Sequence, residues 1–145
     1  MKKLWTKLII FCTTICTLVG LLCLSSCAAP QKQADGTVVH REAGLLMIRI
    51  DSADEGATLK DAMTKMQTDG EIAFEEDGTG MILSVDGYAA SGSGWWGLYT
   101  TDEEFDMGYP AYNFTYQEET YFFSSLGHAL LPVAVGETYV WHYVG

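Results

Sequence analysis

Cysteine is absent after position 27, and lysine and arginine are absent after position 65. The four cysteines, Cys12, Cys16, Cys23 and Cys27, all fall at the start of a 145-residue chain. The rest of the chain cannot staple itself with an intramolecular disulfide, which excludes a small disulfide-framed fold. The shortage of cations is as informative. If residues 1–26 are removed, residues 27–145 hold 119 residues with five basic and nineteen acidic side chains, about −14 in charge. Nucleic acid, polyphosphate and anionic headgroups would all be repelled by that excess, so no nucleic-acid partner is expected, and neutral or cationic ligands remain. Length alone points to one domain large enough to bury a real core.

Chemical signatures are also missing. There is no Gly-x-Ser-x-Gly and no phosphate-cradling glycine loop ahead of a helix. His40, His128 and His142 lack metal-ligand spacing and read as ordinary surface or sheet residues. Asp102, Glu103, Glu104 and Asp106 lack the glycine and spacing of an EF-hand loop and read as a solvated acidic loop. No catalytic residue, metal site or cofactor is expected, and the chain is read as a non-enzyme.

What is present at the N-terminus is specific. Lys2, Lys3 and Lys7 precede an apolar run over residues 8–24, followed by Leu24-Ser25-Ser26-Cys27. The run is shorter than the ~20 apolar residues of a membrane span and is interrupted by Thr13, Thr14 and Thr17. It fits a cleaved export signal better than a retained helix. Leu-Ser-Ser-Cys resembles the lipobox of bacterial lipoproteins, in which the cysteine thiol forms a thioether to a diacylglycerol before cleavage. That implies a signal over residues 1–26, lipidation at Cys27 and a lipidated tether over residues 27–36. At about 0.8 kcal/mol per buried methylene, two or three acyl chains hold a protein stably at a membrane. The expected location is extracytoplasmic, on the cell membrane through the lipid anchor.

The domain is expected over residues 37–145. Residues 44–51 read as a strand, paired with residues 37–41 as a hairpin. Thr58 caps a helix in which Leu59, Ala62, Met63 and Met66 share one face, and Gly70 ends it. Strands are expected at residues 72–75, 81–86, 95–101, 120–123 and 138–144, with turns at Asp77-Gly78 and the glycine-rich residues 91–94. The fold class this suggests is α+β, a two-layer domain with one helix packed on a mostly antiparallel or mixed sheet.

Fifteen of the sixteen aromatic residues after Cys27 lie between Tyr88 and Tyr143. Strand alternation puts Trp96 and Leu98 on one face and Trp95, Gly97 and Tyr99 on the other; it likewise separates Tyr139, Trp141 and Tyr143 from Val140, His142 and Val144. One helix can cover a single face. Either residues 102–132 fold back over the second, or part of it receives a flat ligand or a partner, with stacking from Trp95, Trp96, Tyr99 or Trp141. Gly97 leaves a gap between Trp95 and Tyr99 for a planar group, or marks a bulge.

Four segments carry a family resemblance. Thr58-Leu59-Lys60-Asp61-Ala62-Met63, Met81-Ile82-Leu83-Ser84-Val85-Asp86-Gly87, Trp96-Gly97-Leu98-Tyr99 and Gly136-Glu137-Thr138-Tyr139-Val140-Trp141-His142-Tyr143 resemble, in order and spacing, the transcobalamin-like C-terminal family, first catalogued as a domain of unknown function. The resemblance implies a β-grasp-like fold and capture of cobalamin or a related soluble ligand for uptake. In that family's vitamin carriers a second, helical domain covers the other side of the ligand. Here an importer or second binding protein would have to supply it. The alternative is a surface domain that docks protein or glycan with no small-molecule ligand.

Overall fold

The computed structural model describes residues 31–145. The signal, Cys27 and the first part of the tether lie outside the described residues. Lys32–Gly145 forms one compact unit.

The unit begins with a hairpin of β1 (Ala34–Glu42) and β2 (Leu45–Ala53), reversed at Ala43 and Gly44. Gly44 sits at φ +81, a left-handed conformation that glycine adopts without a Cβ penalty. Two register shifts interrupt the pair, between Asp35 and Gly36 and between Val38 and His40. Each bulge adds twist and bends the strand. The second has a further effect: Val38 opposes Ile48 and His40 opposes Met47, so Val39 is the extra residue and His40 turns to the face that Met47 occupies.

The helix α1 (Leu59–Thr68) starts at Thr58, whose hydroxyl accepts from the Asp61 backbone N–H while the Asp61 carboxylate accepts from the Thr58 N–H. Two more N-terminal donors are satisfied from outside: Leu59 N–H donates to Leu131 O at 2.9 Å and Lys60 N–H to His128 O at 3.0 Å. Ten residues are too few for an isolated helix, which needs ~12–15 even with good formers. Burial of Leu59, Ala62, Met63 and Met66 is what holds it.

Three short strands, β3 (Phe74–Glu76), β4 (Ile82–Val85) and β5 (Tyr88–Ala89), form a small antiparallel sheet. Then come β6 (Trp95–Thr100), β7 (Phe114–Tyr116), β8 (Glu119–Phe123) and β9 (Thr138–Val144). They complete a six-stranded antiparallel sheet in the order β1-β2-β9-β6-β8-β7. Between β6 and β7 the chain makes two 3₁₀ turns, Glu103–Phe105 and Pro110–Tyr112. The β7–β8 turn places Gln117 and Glu118 at φ +49 and +70, the backbone of a type I′ turn built from non-glycine residues.

The expected α+β, β-grasp-like two-layer fold is corrected here. Among the described residues 45% lie in strands and 14% in helices, and the main sheet curls into an antiparallel half-barrel. The reason is physical. One bulge, at Val39, bends β1 and another, at Asp51, bends β2, and the sheet turns its own β7–β8 hairpin over its second face, so α1 is one cover among several.

Two clusters result. On the helix side, Leu46, Ile48, Ile50, Trp96, Leu98, Tyr139 and Trp141 from the sheet meet the four helix residues, Leu131, and Ile72, Phe74, Ile82 and Val85. On the other face, Leu45, Met47, Tyr99, Tyr121 and Val140 are buried against half-buried Phe114, Tyr116 and Phe123. Between the sheet's two outermost strands, the Tyr116 hydroxyl reaches His40 Nε2 at 3.1 Å, a side-chain bridge where a closed barrel would have a ladder.

Candidate functional site

The alternation in β6 and β9 puts the aromatic residues where the sequence pattern places them, and their surroundings decide which can meet a ligand. Trp96 is 7% exposed on the helix side, its indole N–H donating to Tyr88 O at 3.2 Å. Trp141, 4% exposed on the same side, points its indole N–H at Met63 Sδ, 3.2 Å away. Tyr99 is 4% exposed in the second cluster, and burial raises its phenol pKa. Trp95 alone of the four is open, 40% exposed, edge-on to Phe123 with ring centroids 5.6 Å apart. The gap at Gly97 is occupied from within the chain: a Cβ added there would lie 2.8 Å from Tyr99 Cε2, so the Tyr99 ring already lies over it. The fold-back of residues 102–132 over the second face takes the form of the β7–β8 hairpin, with Phe114 centred 5.8 Å from Tyr99.

What this cover leaves is a cavity of about 330 Å³ at one end of the sheet, where the β1–β2 turn meets the end of β9. Glu42, Ala43, Gly44 and Leu45 form one side, and Tyr88, Phe114, Tyr116, His142 and Tyr143 the rest. Its volume is at the small end of small-molecule pockets. A larger depression of about 660 Å³ runs along β1, lined by residues 37–41 and Glu71, but it is shallow and open. The smaller one matters more because aromatic and titratable groups converge on it.

Both faces of the sheet contribute rings. Tyr88 and Tyr143, centroids 5.0 Å apart, come from the helix side. Phe114 lies 4.4 Å from the His142 ring and runs nearly parallel to Tyr116 at 6.2 Å. The Tyr143 hydroxyl donates to Ser91 O at 3.0 Å, which fixes that ring. Burial lowers the His142 pKa against the opposing pull of Glu42, so the imidazole is neutral near pH 7. Glu42 stands at the rim with its side chain 57% exposed and His40 Nε2 3.8 Å away.

Sequence reasoning missed these residues. His142 was visible in the alternation, beside Val140 on the second face. His40 was not, because the bulge at Val39 shifts it by one position. Phe114 and Tyr116 lie on a strand whose turn carries no glycine or asparagine.

The other polar groups are structural. His128, buried, meets Glu76 Oε2 at 2.8 Å, and Lys60 pairs with the other oxygen of that carboxylate. In the acidic loop, Asp102 accepts from Glu104 N–H at 3.0 Å and Asp106 from Gly108 N–H at 2.9 Å. Among the described residues no three His, Cys, Asp or Glu side chains are grouped to hold a metal ion. No described helix is long and apolar enough to cross a membrane. Comparison with family models, curated proteins and solved structures finds no match.

Proposed function

We propose that this chain is a lipid-anchored extracytoplasmic binding module that captures a small molecule in the cavity between the β1–β2 turn and the β7–β8 hairpin. The observation that carries the reading is the convergence of Tyr88, Phe114, Tyr116, Tyr143 and His142 on one cavity of about 330 Å³ at the end of the main sheet. The Leu-Ser-Ser-Cys27 pattern supports the anchor. A corrinoid, the ligand class implied by the family resemblance, is too large for this cavity. It would have to lie across the open Trp95 face, with a second protein on its far side.

The test is a thermal-shift screen of small neutral and cationic metabolites on the full acylated protein in a non-ionic detergent. A saturable ligand that protects the wild type and loses protection in Phe114→Ala supports the cavity. If no compound shifts the midpoint, or hits are indifferent to Phe114→Ala, the reading fails. Mass analysis of the N-terminal peptide tests the anchor, with diacylglyceryl-Cys27 expected and a free thiol fatal to it.

A second reading has its own observation. Trp95, Phe123, Tyr112 and Tyr109 form a chain of ring contacts at 5.6, 6.0 and 6.1 Å, and Trp95, Tyr112 and Tyr109 are exposed. Such a stripe suits docking of a glycan or protein surface. A pull-down from envelope extract that is lost in Trp95→Ala but unaffected by Phe114→Ala would favour it.

A further inference from the structure

We infer that the cavity takes an organic cation, an alkylammonium or methylated ammonium group on a small molecule. This rests on the cavity being a ligand site and adds the charge class of the ligand.

The walls argue for it. Four benzenoid rings, those of Tyr88, Phe114, Tyr116 and Tyr143, line a space shared with Glu42. Aromatic faces carry partial negative charge and attract a cation within ~6 Å by about 0.5–2 kcal/mol, the larger figure where water is excluded. Glu42 contributes a full negative charge at the rim. No lysine or arginine is among the lining residues. The neighbouring Arg41 is committed elsewhere, its guanidinium bound to Asp86 at 2.8 Å and to the Glu71 carbonyl. The fifth ring, His142, adds no competing charge, because burial disfavours its protonated form.

The other ligand classes fit less well. An anion would meet Glu42 at once and the acidic field of the whole chain before that. A neutral apolar molecule would gain nothing from Glu42, whose side chain stays 57% exposed to water at the rim. A metal ion needs several oxygen or nitrogen ligands, and among the described residues no group of three is assembled. An ammonium group with methyl substituents satisfies both halves of the site, its charge facing Glu42 and its methyl groups facing the rings.

The experiment titrates the full acylated protein, in a maltoside detergent free of choline headgroups, with choline and separately with 3,3-dimethylbutan-1-ol, its uncharged carbon isostere. Calorimetry should show saturable choline binding at least about tenfold tighter than the isostere, a difference of ~1.4 kcal/mol. Glu42→Gln, at an exposed position that leaves the fold alone, should weaken choline by about three- to tenfold and leave the isostere unchanged. Equal affinity for the two probes overturns the inference and leaves the cavity standing as a site for neutral ligands. Absence of choline saturation up to ~100 mM, far beyond the millimolar range of a weak specific site, also overturns it. Failure of the broader metabolite screen as well would remove the cavity reading itself.

Discussion

The two faces of the main sheet are built from the same strands and differ in what covers them. On the helix side the cover is an amphipathic helix, a small sheet and Leu131, and the contacts are mainly aliphatic, methionine and tryptophan groups with Phe74 and Tyr139. On the other face the cover is the sheet's own last hairpin, and the contacts are tyrosine, phenylalanine and histidine. The helix side holds the larger buried cluster, and the hairpin-covered face supplies Phe114, Tyr116 and His142 to a cavity that Tyr88 and Tyr143 line from the helix side.

The sharpest way to break that division is to truncate one large ring on each face. Trp141→Ala removes a fully packed indole and its contact with Met63, and should cost about 3–5 kcal/mol in chemical denaturation of the full chain. Phe114→Ala removes a half-buried ring beside the cavity and should cost less, about 1–2 kcal/mol, because water can enter the space left. Equal losses would mean that the second face is as much a structural core as the first.

Gly97→Ala probes the second face alone. The added Cβ must displace the Tyr99 ring, and overpacking of this kind costs about 1–3 kcal/mol. A loss well under 1 kcal/mol would show that Tyr99 moves freely and that the gap at Gly97 can be opened after all.

The hairpin turn should respond in the opposite direction. Gln117 and Glu118 both occupy left-handed backbone, at ~1–2 kcal/mol per ordinary residue. The double change Gln117→Asn and Glu118→Gly supplies the preferred type I′ pair and should raise stability by about 1–2 kcal/mol. No gain would indicate that the hairpin is not coupled to global unfolding.

That turn also explains how far the sequence could be read. The helix was legible to its capping box, since Thr58 and Asp61 stand at the required spacing ahead of an apolar face. The strands 95–100 and 138–144 were legible from alternation, and Asp77-Gly78 marked the turn between β3 and β4. The β7–β8 hairpin was hidden because Gln-Glu is not a turn signal and β7 is three residues long. The curl was hidden because a bulge such as that at Val39 leaves no mark in composition. The hairpin also carries Phe114 and Tyr116 to the cavity, so part of the site was missed along with the fold class. Of the four rings proposed for stacking, Trp96, Trp141 and Tyr99 are core residues, because large apolar rings in an alternating strand are buried before they are anything else.

Acid should separate the faces less strongly. Burial holds the His128 pKa below its ordinary 6.5, against the pull of Glu76. The unfolded chain therefore binds a proton there that the folded chain refuses. The stability tied to His128 is complete above about pH 6.5 and is lost as pH falls through the lowered folded value. Glu76, lowered first by its bond to Lys60, acts in the same direction at lower pH, below its ordinary 4.5. His142 on the second face, also lowered by burial, adds to the histidine window. Denaturation midpoints should fall between about pH 7.5 and 5, and His128→Gln should flatten the slope more than His142→Gln does, since His128 is the more deeply buried. A flatter profile in His142→Gln than in His128→Gln would reverse the ranking of the two faces.

The smallest expected effect is at Trp95, and it bears on what the second face is for. With 40% of its surface exposed and a single edge-on contact to Phe123, Trp95→Ala should change stability by no more than about 0.5–1 kcal/mol. Its exposure, in line with exposed Tyr112 and Tyr109, makes Trp95 a candidate for docking. If Trp95→Ala leaves both stability and choline binding untouched but abolishes retention of an envelope component, the face carries two separate surfaces, a cavity at the β1–β2 turn and an aromatic stripe beside β8. If it weakens choline binding instead, the cavity and the stripe act as one site, joined through Phe123 and Tyr99, whose rings lie 5.3 Å apart.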